Sequence, residues 1–194
     1  MIKGKRWSDH YEESCENRPM LEGNIMHHFP FLLEIAKNVK PGYKVLEIGS
    51  GTGVLGWPIQ QSGIKLVSID PDDKILEMAK RNAALLGADI EFLPGDARKL
   101  PFEDKSFDVA YTHGLIEHFS NKMIHHVIEE QLRVANVIVQ GMPLEGNVDG
   151  AYGDERFMTP EWWLNHLKKY NILRALCYDE DRMISITIGQ EGLR

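Results

Sequence analysis

The chain has 194 residues, 43% of them hydrophobic and 26% charged, with a formal net charge of −7. That length and balance fit one soluble domain with its own core, and no apolar run approaches the roughly 20 residues of a membrane span. The acidic surplus speaks against broad nucleic-acid binding, which needs basic surface to displace counterions. The start, Met1 to Arg6, is basic but has no apolar stretch behind it, so no signal peptide is expected. Cys15 and Cys177 lie far apart, near no metal-ligand spacing, and read as reduced thiols of a cytoplasmic protein.

Residues 1–40 are helical in part (Leu32, Leu33, Ile35, Ala36, Val39) and have no core of their own. They are expected to cover the ligand edge of a sheet core spanning 41–194, within a single domain of 1–194. Residues 45–48 form strand one, which stops at three alternating glycines, Gly49, Gly51 and Gly53. A helix over 54–61 follows, disturbed at Pro58. Strand two covers 66–69. Asp70-Pro71-Asp72-Asp73 reads as a helix start, and Ile75, Met78, Ala79 and Leu86 continue it at helical spacing to Gly87. Strands over 90–93, 107–111 and 134–140 follow, with a helix over 123–132 before the last. A helix over 159–170 opens on Thr159-Pro160. Strands over 172–177 and 183–188 are too close for a crossover and should pair antiparallel. This alternation is that of an α/β chain: a Rossmann-like, doubly wound, mostly parallel sheet with helices on both faces.

Ligands of such sheets bind at the carboxyl ends of the strands. Strand one ends in the glycine loop and strand two at Asp70, which is placed to take both hydroxyls of a ribose. Gly95-Asp96-Ala97 follows strand three, and Thr112-His113-Gly114 follows strand four. Glu47, Asp70 and Asp96 thus converge on one edge. Three acids suit a ligand rich in donors and suit a pyrophosphate poorly. Gly51, Gly53 and Gly56 do spell the dinucleotide fingerprint, but out of frame. Counted from Gly49, the glycine that follows the strand, the third position is Val54.

The stretch from Glu47 to Gly53 resembles motif I of class I S-adenosylmethionine-dependent methyltransferases. Residues 66–70 with Pro71, Gly95-Asp96-Ala97, Leu100-Pro101-Phe102, and 106–109 match later blocks of that family in order. Residues 114–118 resemble its ubiquinone- and menaquinone-biosynthesis type. The resemblance implies the strand order 3-2-1-4-5-7-6 and S-adenosyl-L-methionine as cofactor. It implies that Gly49, Ser50, Gly51 and Gly53 pass under the cofactor, with Glu47 ordering the loop or meeting the methionine amino group. Asp70, followed by Pro71, would hold the ribose, and Asp96 with Ala97 would read the adenine. Thr112 and His113 would lie beside the methionine part, and Tyr11 would close over it.

The implied chemistry is in-line methyl transfer to an O, N or C nucleophile of a small molecule. His113 and His118 are the candidate bases, since imidazole titrates in the useful range. Some related enzymes hold a metal near Glu117-His118, but the upstream acid they use would fall at Gly114, so no metal is expected. The 150–158 loop, with Tyr152, Arg156 and Phe157, is the lid candidate. His27-His28 and His125-His126 read as solvated positions, and Asp70 could be a plain helix cap. No Asp/Asn-Pro-Pro-Tyr/Phe block follows strand four, which disfavours methylation of an adenine or glutamine amide nitrogen by that route, and no Pro-Cys pair occurs, which disfavours a cysteine-nucleophile cytosine methyltransferase. Two other functions compete: a catalytically silent cofactor-binding partner subunit and an NAD-type oxidoreductase.

Overall fold

The computed structural model describes Tyr11, residues 17–146 and residues 155–189. Five strands run in parallel: β1 (Lys44–Ile48), β2 (Lys65–Asp70), β3 (Glu91–Pro94), β4 (Phe107–His113) and β5 (Ala135–Pro143). β7 (Met183–Gly189) lies antiparallel between β5 and β6 (Ile172–Tyr178). The sheet order is β3-β2-β1-β4-β5-β7-β6, as the resemblance implied. The step from β1 outward to β2 on one side and β4 on the other is the switch point that opens a crevice.

The central strands β1, β4 and β5 are largely apolar on both faces because both are covered. Leu46, Ile48, Ala110 and Ile138 face a core with α5 (Asn121–Val134) and α6 (Pro160–His166). Val45, Val109, Tyr111 and Val139 face the other way, against α1 (Arg18–His27) and α2 (Phe29–Ala36). α5 shows how this is encoded. Ser120 caps it, and Ile124, Val127, Ile128 and Val134 recur on one buried stripe. Each such side chain contributes about 1.5–3 kcal/mol by leaving water. Ile128→Ala would remove about 2–5 kcal/mol, enough to threaten the helix's seat.

Three local expectations differ from what forms. The first concerns α3 (Gly56–Gln60), which begins two residues late, so that Pro58 falls in its first turn. A proline lacks only an N–H there that no helical carbonyl awaits, and the helix is not broken. The second concerns α4 (Asp73–Leu86), which is capped by Asp72, whose side chain accepts from Lys74 N, rather than by Asp70. Asp70 remains the last residue of β2. The third concerns the N-terminal segment. Phe31, Leu32 and Ile35 are buried in the sheet-face core, so α2 covers a face, and only its start reaches the ligand edge.

Candidate functional site

The carboxyl ends of β1, β2, β3 and β4 open onto one cleft of about 690 Å³. Gly49, Gly51, Asp70, Pro71, Asp96, Ala97, His113, His118 and Tyr11 all line it. The structure therefore brings together nine of the positions singled out from sequence. Glu47, Ser50, Gly53 and Thr112 are not among the lining residues.

Register explains Glu47. It stands between Ser68 on β2 and Tyr111 on β4, so three polar side chains form a row inside the sheet face. Ser68 Oγ donates to Glu47 Oε2 at 2.6 Å. Burial pushes the Glu47 carboxyl up to about 7, although the Ser68 and Tyr111 hydroxyls pull it back down. The carboxylate stiffens the strand beneath the loop and does not reach into the cleft.

Gly53 is needed for packing instead of ligand approach. A Cβ there would sit 2.7 Å from Ala79 Cβ and 2.8 Å from Ala79 Cα, which lets the loop rest on α4. Gly56, the false third glycine of the fingerprint, likewise packs α3 against Leu66 and Ile90. Ser50 is buried, with its hydroxyl unpartnered, behind the loop.

Asp70, the last residue of β2, lines the cleft. Its Oδ1 accepts from Asp72 N at 3.0 Å, which fixes its rotamer. Burial pushes it up to about 6, against the pull of that N–H and those of Gly51 and Ser50. Asp96 is partly exposed and paired: Arg98 Nε lies 2.9 and 3.0 Å from its two oxygens, and Arg98 N donates at 2.8 Å. That guanidinium holds Asp96 below the usual carboxylate range. Arg98 also lines the cleft and was missed from sequence, although an acid followed two positions later by arginine is a readable sign.

Thr112 and His113 point to opposite faces, as neighbours on a strand must. The Thr112 hydroxyl donates to Gln140 Oε1 at 2.8 Å, and Gln140 Nε2 donates to Gln131 Oε1 at 2.6 Å. This closed polar chain ties β4, β5 and α5 together inside the core, so Thr112 has no side-chain contact with the cleft. His113 points the other way. Its Nε2 shares a hydrogen bond with the Tyr178 hydroxyl at 3.2 Å, and its ring meets the edges of His28 and Phe31 at 4.5 and 4.7 Å. Burial, reinforced by His28 and His27, holds the His113 imidazole well below its ordinary value. It is neutral at pH 7. His28, expected in solvent, is half-buried and lowered to about 4. No local pattern in the sequence announces His28, Phe31 or Tyr178.

The other histidine pair is also tied down. His126 Nε2 meets Arg98 O at 2.8 Å, and His125 stacks on His166 at 4.4 Å. Beside the cleft, where His118 is a lining residue, Glu117, His118 and Glu155 bring one potential ligand atom each within 4.8 Å of one another. This is a cluster where no metal was expected. Gly114 indeed offers no side chain, but Glu155 arrives from beyond β5. Of the lid candidate, residues 150–154, with Tyr152, lie outside the described residues. Arg156 lies within them and bonds to Glu117 O, Phe119 O and Asn121 Oδ1.

Residues 45–137 match the methyltransferase domain family. Over that span the chain is a class I S-adenosylmethionine-dependent methyltransferase domain. The methyltransferase domain is 40% identical over 75 residues to a demethylmenaquinone methyltransferase of Paenarthrobacter aurescens, covering 39% of this chain and 28% of that protein. The chain thus spans well under half the length of that relative. Magnesium protoporphyrin IX methyltransferase of Synechocystis, solved with bound SAH, superposes with a TM-score of 0.71 at 14% identity, covering 87% of this chain and 84% of that one. The cyclase SpnF superposes with a TM-score of 0.69 at 17% identity, over 83% and 80%. At such identities these two show the fold alone.

The cofactor of this family is S-adenosyl-L-methionine. The cleft's residues fit it. Its volume is within the range of small-ligand sites. A pinned, part-buried acid stands at the end of β2. The glycine loop lies open beneath the Tyr11 hydroxyl, which sits 3.5 Å from where a Gly51 Cβ would be.

Proposed function

We propose that this chain transfers a methyl group from S-adenosyl-L-methionine to an O, N or C nucleophile of a small molecule in the cytoplasm. The observation that carries this reading is His113. It is a neutral imidazole lining the same cleft as Asp70 and Asp96. Bound S-adenosylmethionine supplies an electrophilic methyl group. The chain then has to hold donor and acceptor in line and take up a proton if the nucleophile carries one. In this reading Asp70 takes the ribose hydroxyls, Asp96 and Ala97 take the adenine, and Gly49 and Gly51 let the methionine part lie on the loop. Tyr11 closes over it, and His113 takes the acceptor proton. His118, which lines the same cleft, is the second base candidate. The names of the relatives, for demethylmenaquinone and magnesium protoporphyrin acceptors, support a small molecule over a nucleic acid.

The test is calorimetric titration with S-adenosylmethionine, followed by a metabolite-extract screen with methyl-labelled cofactor. Micromolar binding and a labelled small product support the proposal, and absence of binding sinks it. A second reading is favoured by one observation: the fold of SpnF, a cyclase, superposes as well as that of a methyltransferase. A fold does not fix a reaction. In that reading the chain binds the cofactor without transferring its methyl group, alone or as a partner subunit. Tight cofactor binding without label transfer to any pool would favour it.

A further inference from the structure

The two edges of the sheet differ. β3 closes one edge, begins on the exposed Glu91 and ends on Pro94, which has no N–H to offer a further strand. β6 closes the other with seven residues, and among the described residues only β7 pairs with it. Alternate residues of such an edge direct their N–H and C=O groups away from the sheet, where they offer a ladder to another strand.

Little protects the β6 edge. Its one charge, Arg174, is turned to the buried Glu34 on α2, with Nη1 3.3 Å from Oε2. The register shift between Ile172 and Arg174 disturbs only the start of the strand, so residues 174–178 form a regular run. Residues 173–176 are all exposed, Leu173 at 45% and Leu176 at 42%. A long apolar edge with open backbone groups is a site of strand addition.

The flanking charges select the strand that fits. The turn before β6 carries Lys168 and Lys169, both exposed, although Lys169 also meets Glu129 at 2.8 Å. The turn after it carries Asp179, Glu180 and Asp181, and Arg182 offsets one of these acids through Glu180 at 3.6 Å. A second β6 laid antiparallel sets the basic start of each copy beside the acidic end of the other, twice over. Laid parallel, it would set like charge against like. Directly opposed residues of an antiparallel pair share one backbone orientation, so a strand pairing with itself has one residue meeting its own copy on the two-fold axis. Leu176 stands midway along the regular run. Pairing there places Arg174 beside Tyr178 and Asp179 of the second copy.

We propose that this chain forms a two-fold dimer by antiparallel pairing of β6 with the β6 of a second copy, centred at Leu176. The strands whose ends form the cleft lie beyond β5 and β7, so both clefts stay open. The pairing would also steady the strand that carries Tyr178 to His113. This inference concerns association and stands whether or not the chain transfers methyl groups.

The test is sedimentation equilibrium of the full chain at about 1 to 100 μM, where a monomer–dimer equilibrium with a micromolar or tighter Kd is expected. Leu176→Lys sets two like charges on the axis and should weaken association about tenfold or more, with S-adenosylmethionine affinity within about threefold. Glu180→Lys combined with Asp181→Lys, in the exposed turn, should weaken it about threefold or more at low salt. Where Leu176→Lys fails to fold, by circular dichroism, the turn variant decides. A monomer throughout would leave the edge to a different protein and overturns the proposal. So does an assembly larger than a dimer, or a dimer that both variants leave unchanged.

Discussion

His113 Nε2 and the Tyr178 hydroxyl lie 3.2 Å apart, joining the end of β4 to the end of β6 across the intervening strands. The contact fixes the imidazole plane, while His28 and Phe31 close its other sides. An imidazole held this way keeps one orientation towards the cleft. His113→Gln should lower kcat by about 10²–10⁴-fold, the usual range for a general base. Tyr178→Phe should lower it several-fold with cofactor affinity within about threefold. In the proposed role the neutral imidazole is the working form, and burial lowers its pKa. Activity should therefore hold through pH 7 and fall only at pH below the ordinary histidine range. An acid limb of the kcat profile at 6.5 or above would contradict the assignment.

Gly141, opposite His113 on β5, makes room for that ring. A Cβ at Gly141 would lie 2.7 Å from His113 Cδ2 and 2.9 Å from Phe31 Cε2. Gly141→Ala should displace both rings and cut kcat at least tenfold, with S-adenosylmethionine affinity nearly unchanged. Parallel turnover and calorimetry measurements check the split.

Asp70→Asn should weaken cofactor binding by about 10–100-fold, since hydrogen bonds to a charged group contribute roughly 1.5–3 kcal/mol. In the free protein Asp70 titrates near 6. Affinity should therefore fall as pH drops from 7 to 5, because the protonated acid is the poorer acceptor. Titrations at three pH values in one buffer series measure this.

Glu47 produces an opposite trend in stability. Its folded value is about 7, against an ordinary 4.5. Between those values the native state binds a proton that the unfolded chain does not. Its contribution therefore rises as pH falls from above 7 towards 4.5. Glu47→Gln should remove that part of the slope. The measurement is the difference in Tm between wild type and variant from pH 8 to 5, which should shrink on acidification.

Thr112→Val should cost about 1–3 kcal/mol by leaving Gln140 short of a partner. Cofactor affinity should stay within about twofold. A large loss of affinity with unchanged stability would place Thr112 back in the cleft.

The sequence alone determined the order of elements, the glycine turn after β1, and the acids at the ends of β2 and β3. These are local: apolar runs, turn residues and caps act over a few neighbours. Asp70 was legible because the end of a strand can be read from the run that precedes it. The tertiary structure decided which side chains reach the cleft. Strand register turned Glu47 towards Ser68 and Tyr111 and sent Thr112 to Gln140. A one-residue shift would have reversed both, and register is set by neighbours distant in sequence. Long-range packing also brought His28 and Tyr178 to His113, and Glu155 to Glu117. Such meetings depend on chain segments that share no local pattern, so only the folded molecule shows them.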